Sequence, residues 1–203
     1  LGGATEPEGS ASVTTCPFAR AFCICCQRIG RSEHPSRTAE CQDERVAGVT
    51  VRTMTADEFD EWMDEIARAY AHEQVAAGRW PADGAVERAR ADNARMLPRG
   101  PDTPRMLVLR GLDADGRAIG RAWVGLDHPR GAPGVAFLYD IEVEAARRGE
   151  GLGRGLLAAA EHAARAAGAT ALELNVFGGN RTAIGMYETA GYEVVTQQMR
   201  KQL

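Results

Sequence analysis

A chain of 203 residues, 44% hydrophobic and 26% charged, is long and apolar enough to bury one ordinary globular core. Its formal net charge of −4 leaves no broad basic field for nucleic acid or an anionic membrane. No apolar run approaches the roughly 18 residues of a membrane-spanning helix, so no membrane partner and a cytoplasmic location are expected.

All five cysteines (Cys16, Cys23, Cys25, Cys26, Cys41) lie within the first 41 residues, in a stretch of Gly, Ser, Pro and Thr without helical or alternating period. Their spacings lack the paired C-x2-C knuckles of structural zinc sites, and Ala21 to Cys26 is too short for a secretory apolar region. Residues 1–48 therefore read as a disordered or non-native leader ahead of one domain at 49–203. The natural start is expected near Val49, where patterned sequence begins. A cysteine-rich leader beside a cysteine-free domain argues against a disulfide framework.

Val49 to Thr53 alternates as a first strand. Thr55 and Glu58 form a capping-box pair, and the helix after them carries Phe59, Trp62, Met63, Ile66, Ala67 and Tyr70 as one apolar stripe, ended by Gly78 and Pro81. Tyr70, Glu73 and Trp80 sit at the far end of this helix and just past it. Ala85 to Met96 predicts a second helix, stopped before Pro98. Met106–Arg110 and Ala118–Leu126 predict a hairpin across Asp113-Ala-Asp-Gly116. A Pro/Gly-rich loop then leads into an apolar strand from Val135 to Val143. A helix follows from Leu156 to Ala167, then a strand at Ala171–Phe177, a short helix at Asn180–Thr189 and a last strand at Tyr192–Met199. The order predicts an α/β fold on a sheet of mixed direction. His72, His128 and His162 read as surface or satisfied core residues.

Between the Val135–Val143 strand and the helix after it lies Arg147-Arg148-Gly149-Glu150-Gly151-Leu152-Gly153-Arg154-Gly155. Glycines let backbone N–H groups approach an anion closely, and a helix start adds its positive dipole end. A P-loop would need G-x-x-x-x-G-K-[S/T], yet the only lysine is Lys201. A dinucleotide fingerprint fails too, because its third glycine would fall on Leu156 or Arg154. What stands is R-x-x-G-x-G, formed by Arg148, Gly151 and Gly153.

Phe137 to Val143 followed by Arg148 to Gly153 resembles the acetyl-CoA-binding signature of the GCN5-related N-acetyltransferase superfamily. A second block, with Asn180, Ala183, Tyr187 and Gly191-Tyr192 in the pattern N-x-x-A-x-x-x-Y-E-x-x-G-[Y/F], resembles the same family. The resemblance implies an acyl-CoA N-acyltransferase fold, a mostly antiparallel central sheet flanked by helices. It implies an enzyme that moves an acetyl group from acetyl-CoA to a primary amine of a small molecule or peptide, with no metal. A homodimer is possible by the same resemblance. The alternative on this fold is a non-catalytic acyl-CoA-binding module.

By that resemblance, Gly149, Gly151, Leu152, Gly153 and Arg154 cradle the pyrophosphate, with Arg148 adding charge and Arg147 or Arg154 near the 3′-phosphate. The main chain of Ile141 and Val143 takes the pantetheine arm as an added strand, and Asn180 contacts its amides. Tyr187 both contacts the cofactor and protonates the leaving thiolate, a task suited to a phenol of ordinary pKa about 10. Alanine at 145 departs from the proline the family often has there. The resemblance also implies that the first two helices and their connection wall the acceptor pocket, which makes Tyr70, Glu73 and Trp80 candidates for substrate contact, although the aromatics of the first helix also read as core packing. The general base is open: Asp140 and Glu142 share a face of a regular strand and would accept the proton directly or through water, and also attract a cationic amine.

Overall fold

The computed structural model describes residues 48–201. The expectations for the cysteines of the leader fall outside the described residues. The elements in order are β1 (Thr50–Thr53), α1 (Ala56–Ala76), α2 (Ala85–Met96), β2 (Met106–Leu112), β3 (Ala118–Gly125), β4 (Val135–Val143), α3 (Leu152–Ala166), β5 (Ala171–Leu174) and α4 (Arg181–Thr189). One sheet of order β1-β2-β3-β4-β5 carries them, antiparallel through β4 and parallel between β4 and β5. This is the mixed, mostly antiparallel α/β architecture that the sequence implies.

The sheet buries both faces. Val108, Trp123, Phe137 and Tyr139 pack with Phe59, Trp62 and Ile66 of α1, while Leu109, Ala122, Val124, Leu138 and Ile141 pack with Leu156, Leu157 and Ala160 of α3. Neighbouring residues such as Val108 and Leu109 thus serve opposite layers, the period-two pattern of a pleated strand. α1 starts as its sequence dictates: Thr55 Oγ1 accepts from the Glu58 N–H, and Glu58 Oε2 accepts from the Thr55 N–H at 2.9 Å.

A bulge in β4 sets the geometry of the site. Val124 pairs with Leu138, but Trp123 pairs with Asp140, so Tyr139 is the extra residue. Regular alternation would put Asp140 and Glu142 on the same face as Leu138, under α3. The bulge turns them to the α1 face instead. Close pairing at the end of this hairpin requires Gly120, where a Cβ would lie 2.2 Å from the Glu142 carbonyl oxygen.

Two boundaries and one whole strand depart furthest from expectation. α3 begins at Leu152 rather than Leu156, so the second half of the glycine-rich stretch is already helix. β5 ends at Leu174, short of Phe177. The expected last strand at Tyr192–Met199 is absent from the described residues, and Val194, Val195 and Met199 are exposed there. Val194 and Val195 are adjacent, so an extended chain would turn them to opposite sides with no single apolar face to bury.

Candidate active site

The glycine-rich stretch begins where β4 ends. Gly149 and Gly151 hold left-handed backbone at φ 87° and 79°, which a side chain would strain. Gly151 is the N-cap of α3, and no side chain accepts from the helix's first N–H groups. Those groups have no partner within the helix, and the dipole makes that end positive. Leu152, Gly153 and Arg154 form the first turn of α3. Glycine at 153 reflects packing: a Cβ there would meet Met186 Sδ at 3.3 Å and Val143 Cγ2 at 3.8 Å.

The two arginines before the turn have tasks within the fold. Arg148 donates to the Val143 carbonyl at 3.1 Å and to Glu142 Oε1 at 2.5 Å, lying back across the end of β4. Arg147 reaches Asp113 at 3.0 Å and Glu150 at 3.1 Å, which ties the β2–β3 turn to the β4–α3 turn. Arg154 is exposed.

On the α1 face, the two expected carboxylates belong to a larger charge network. Asp140 is fully buried, and its Oδ2 accepts from Trp62 Nε1 at 3.2 Å and Arg121 Nε at 3.0 Å. Glu142 is held between two guanidiniums, Arg121 and Arg148, at 2.5 Å each. Burial pushes its carboxyl above the ordinary value, with those guanidiniums working against the shift. Arg121 also meets Glu65 of α1 at 3.1 Å. Sequence reading did not single out Arg121. Its signal was an arginine inside the apolar strand Ala118–Gly125, directly opposite Glu142 in the hairpin register.

Glu73, further along α1, is half-buried with Oε2 shielded from solvent and without a hydrogen-bond partner; Asp140 Oδ1 is in the same condition. Burial, and then the charge of Asp140, push the Glu73 carboxyl up to about 7. Nearby, Tyr70 and Trp80 meet edge-on with ring centroids 5.3 Å apart, and the Arg88 guanidinium sits 4.4 Å from the Trp80 ring. Burial raises the Tyr70 hydroxyl above its usual range.

The remaining expected residues cluster on the α3 side. Asn180 caps α4, its Oδ1 accepting from the Ala183 N–H at 3.1 Å. Tyr187 is buried on α4 in the same cluster as Ile141, with Val143 packed against it, and its ring lies 5.6 Å from Tyr192. A cavity of about 1220 Å3, lined in part by Leu174, Asn175, Tyr187 and Tyr192, opens beside β5. Of the histidines, His128 is buried with Nε2 3.0 Å from Glu173, and His72 and His162 are exposed. No described helix is long and apolar enough to cross a membrane.

These elements match known proteins. The model of the acetyltransferase (GNAT) family matches residues 54–192. YdgE, an uncharacterized N-acetyltransferase of Bacillus subtilis, is 31% identical over 156 residues, covering 76% of this chain and 98% of its own length. A mycothiol acetyltransferase of Clavibacter sepedonicus is 31% identical over 77% of this chain but only 47% of its own length. The crystal structure of YycN, a putative acetyltransferase of Bacillus subtilis, superposes with a TM-score of 0.69 at 30% identity, covering 76% of this chain and 98% of that one. The uncapped glycine start of α3, the Asn180–Tyr187 block and the sheet order coincide with the span of the family match, and the chain belongs to the GNAT family of acetyltransferases.

Proposed function

We propose that this chain moves an acetyl group from acetyl-CoA to a primary amine, of a small molecule or a peptide, by direct transfer in a ternary complex. Acetyl-CoA supplies an activated thioester carbonyl. The observation that carries the reading is the start of α3, a left-handed glycine cap with no side-chain acceptor, reached directly from the end of β4. Its N–H groups and dipole suit a pyrophosphate. In this reading Gly149, Gly151, Leu152, Gly153 and Arg154 form the cradle, and Arg148 joins it by exchanging Glu142 for phosphate. The main chain of Ile141 and Val143 takes the pantetheine arm as an added strand. Asn180 holds its amides.

Tyr187 protonates the leaving thiolate. Asp140 and Glu142 act as fixed charge: one is sealed beneath Trp62 and Arg121, and the other stays paired with Arg121 when Arg148 turns to phosphate. Their field draws a cationic amine and aligns Arg121. No residue after Cys41 is a cysteine, so the domain offers no thiol for a covalent acyl intermediate. Relatives named mycothiol acetyltransferase match over less than half of their length, and their acceptor is not carried over.

The test is thiol release from acetyl-CoA with a panel of amines, comparing wild type with Tyr187→Phe. Wild type should turn over with at least one amine, and the variant should lose about 100-fold in kcat with acetyl-CoA affinity kept. Tight acetyl-CoA binding with no amine-stimulated release would point to the alternative, a non-catalytic acyl-CoA-binding module.

A further inference from the structure

Buried acceptor oxygens without a donor are uncommon in folded proteins, and each calls for a reason. Two such oxygens are Glu73 Oε2 on α1 and Asp140 Oδ1 on β4, and the charge of Asp140 acts on the Glu73 carboxyl. The residues belong to elements in mutual contact. Trp62, Ile66, Ala69 and Glu73 follow one another at helical spacing along the stripe of α1 that faces the sheet, and Trp62 at its near end donates to Asp140. Asp140 is wholly buried and its second oxygen is already committed to Trp62 and Arg121. Glu73 is half-buried, so it alone of the two can exchange protons with an incoming molecule. An ammonium group, with three donors and one positive charge, complements this pair.

We propose that Glu73 binds the acceptor amine as its ammonium and then removes a proton from it, with Asp140 as the fixed charge behind it. This assignment rests on the amine-acetylation reading and deepens it by naming the residue that holds and deprotonates the amine. The step balances simply. An ammonium N–H bond breaks and its proton passes to the Glu73 carboxylate. The freed nitrogen lone pair forms a C–N bond to the thioester carbonyl carbon, the C–S bond breaks, and the thiolate takes the Tyr187 proton. Glu73 later yields its proton to solvent, and Tyr187 regains one in exchange for the second proton lost from nitrogen.

The surroundings favour this chemistry. A base works best when it titrates close to the working pH, and the Glu73 carboxyl, pushed up to about 7 by burial and Asp140, meets that condition. Asp140 from β4 is the charge that acts on Glu73, and Glu73 in turn acts on Tyr70 of α1. Arg121 from β3 sits beyond Asp140, among Asp140, Glu142 and Glu65. Arg79, Arg88 and Asp92 surround Tyr70 from the α1–α2 side.

Two measurements test the assignment, on wild type and Glu73→Gln. One is a carbon-13 carboxyl titration of the free protein. The other is the pH profile of kcat/KM with acetyl-CoA and spermidine, a lysyl peptide or an aminoglycoside. We expect one carboxyl titrating near 7 that disappears in Glu73→Gln. We also expect an acidic limb in the wild-type profile that vanishes in the variant, with a rate loss of about 100-fold or more and unchanged acetyl-CoA affinity. Titration of Glu73 in the ordinary carboxylate range, or a variant within twofold of wild type with the same limb, overturns the role of Glu73 alone. A wild-type protein that releases no thiol with any of these amines overturns the amine-transfer reading and this assignment with it.

Discussion

Two helices of this protein begin in opposite ways. α1 starts sealed: Thr55 and Glu58 satisfy each other's backbone N–H groups, and Arg52 clamps Glu58 at 2.7 and 2.8 Å. α3 starts open, on a left-handed glycine with no side chain accepting from its N–H groups. A sealed start contributes to stability and has nothing left to bind. A glycine start gives up only about a few tenths of a kcal/mol of capping energy and keeps its N–H groups for a ligand. The difference separates a helix terminus closed by its own side chains from one whose N–H groups remain available to an anion.

The contrast can be broken by exchanging its effects. The largest is expected at Gly151→Val, where a β-branched residue must adopt φ 79° and its side chain would obstruct the cradle. Acetyl-CoA affinity should fall about 100-fold, roughly 2.7 kcal/mol, by titration calorimetry. A variant that binds as tightly as wild type would deny the α3 start its role.

Thr55→Ala should do the reverse. It removes the cap of α1 and is expected to lower unfolding stability by about 1 kcal/mol in urea, with acetyl-CoA affinity unchanged. Glu58 provides the finest test. The Arg52 guanidinium beside it holds its carboxyl at about 2, below the usual 4.5. A depressed carboxylate stabilises the fold above the unfolded value and loses that contribution as pH falls through the folded one. Wild type should therefore lose stability between pH 4.5 and about 2, on the order of 1 kcal/mol after solvent screening. Glu58→Gln should flatten that part of the curve while leaving cofactor binding alone.

The same contrast separates what was legible in the sequence from what was not. The α1 cap and the Asn180 cap are local devices, each written within a few consecutive residues, and both appear as read. The α1 stripe is equally local, because helical periodicity alone selects Phe59, Trp62 and Ile66 for burial. The strand expected at Tyr192–Met199 went wrong for a matching reason. A strand needs a neighbour to accept its hydrogen bonds, and composition supplies no neighbour.

On the candidate acceptor side, less was legible. Asp140 and Glu142 were expected together on one face, and they are together. The bulge at Tyr139 decides which face, and it exists only in the pairing of β4 with β3. Arg121 becomes the centre of the network because hairpin register sets it opposite Glu142, and α1 then brings Glu65 and Trp62 against the same cluster.

By itself, the sequence determined the family, the glycine-rich turn between β4 and α3 and the capped starts of α1 and α4, since caps and turns are fixed by neighbours along the chain. Only the tertiary structure decided the candidate acceptor face. The charges of Arg121, Asp140, Glu142 and Glu73 come from three elements far apart in sequence, and burial and mutual proximity, which exist only after folding, set the proton affinity of Glu73.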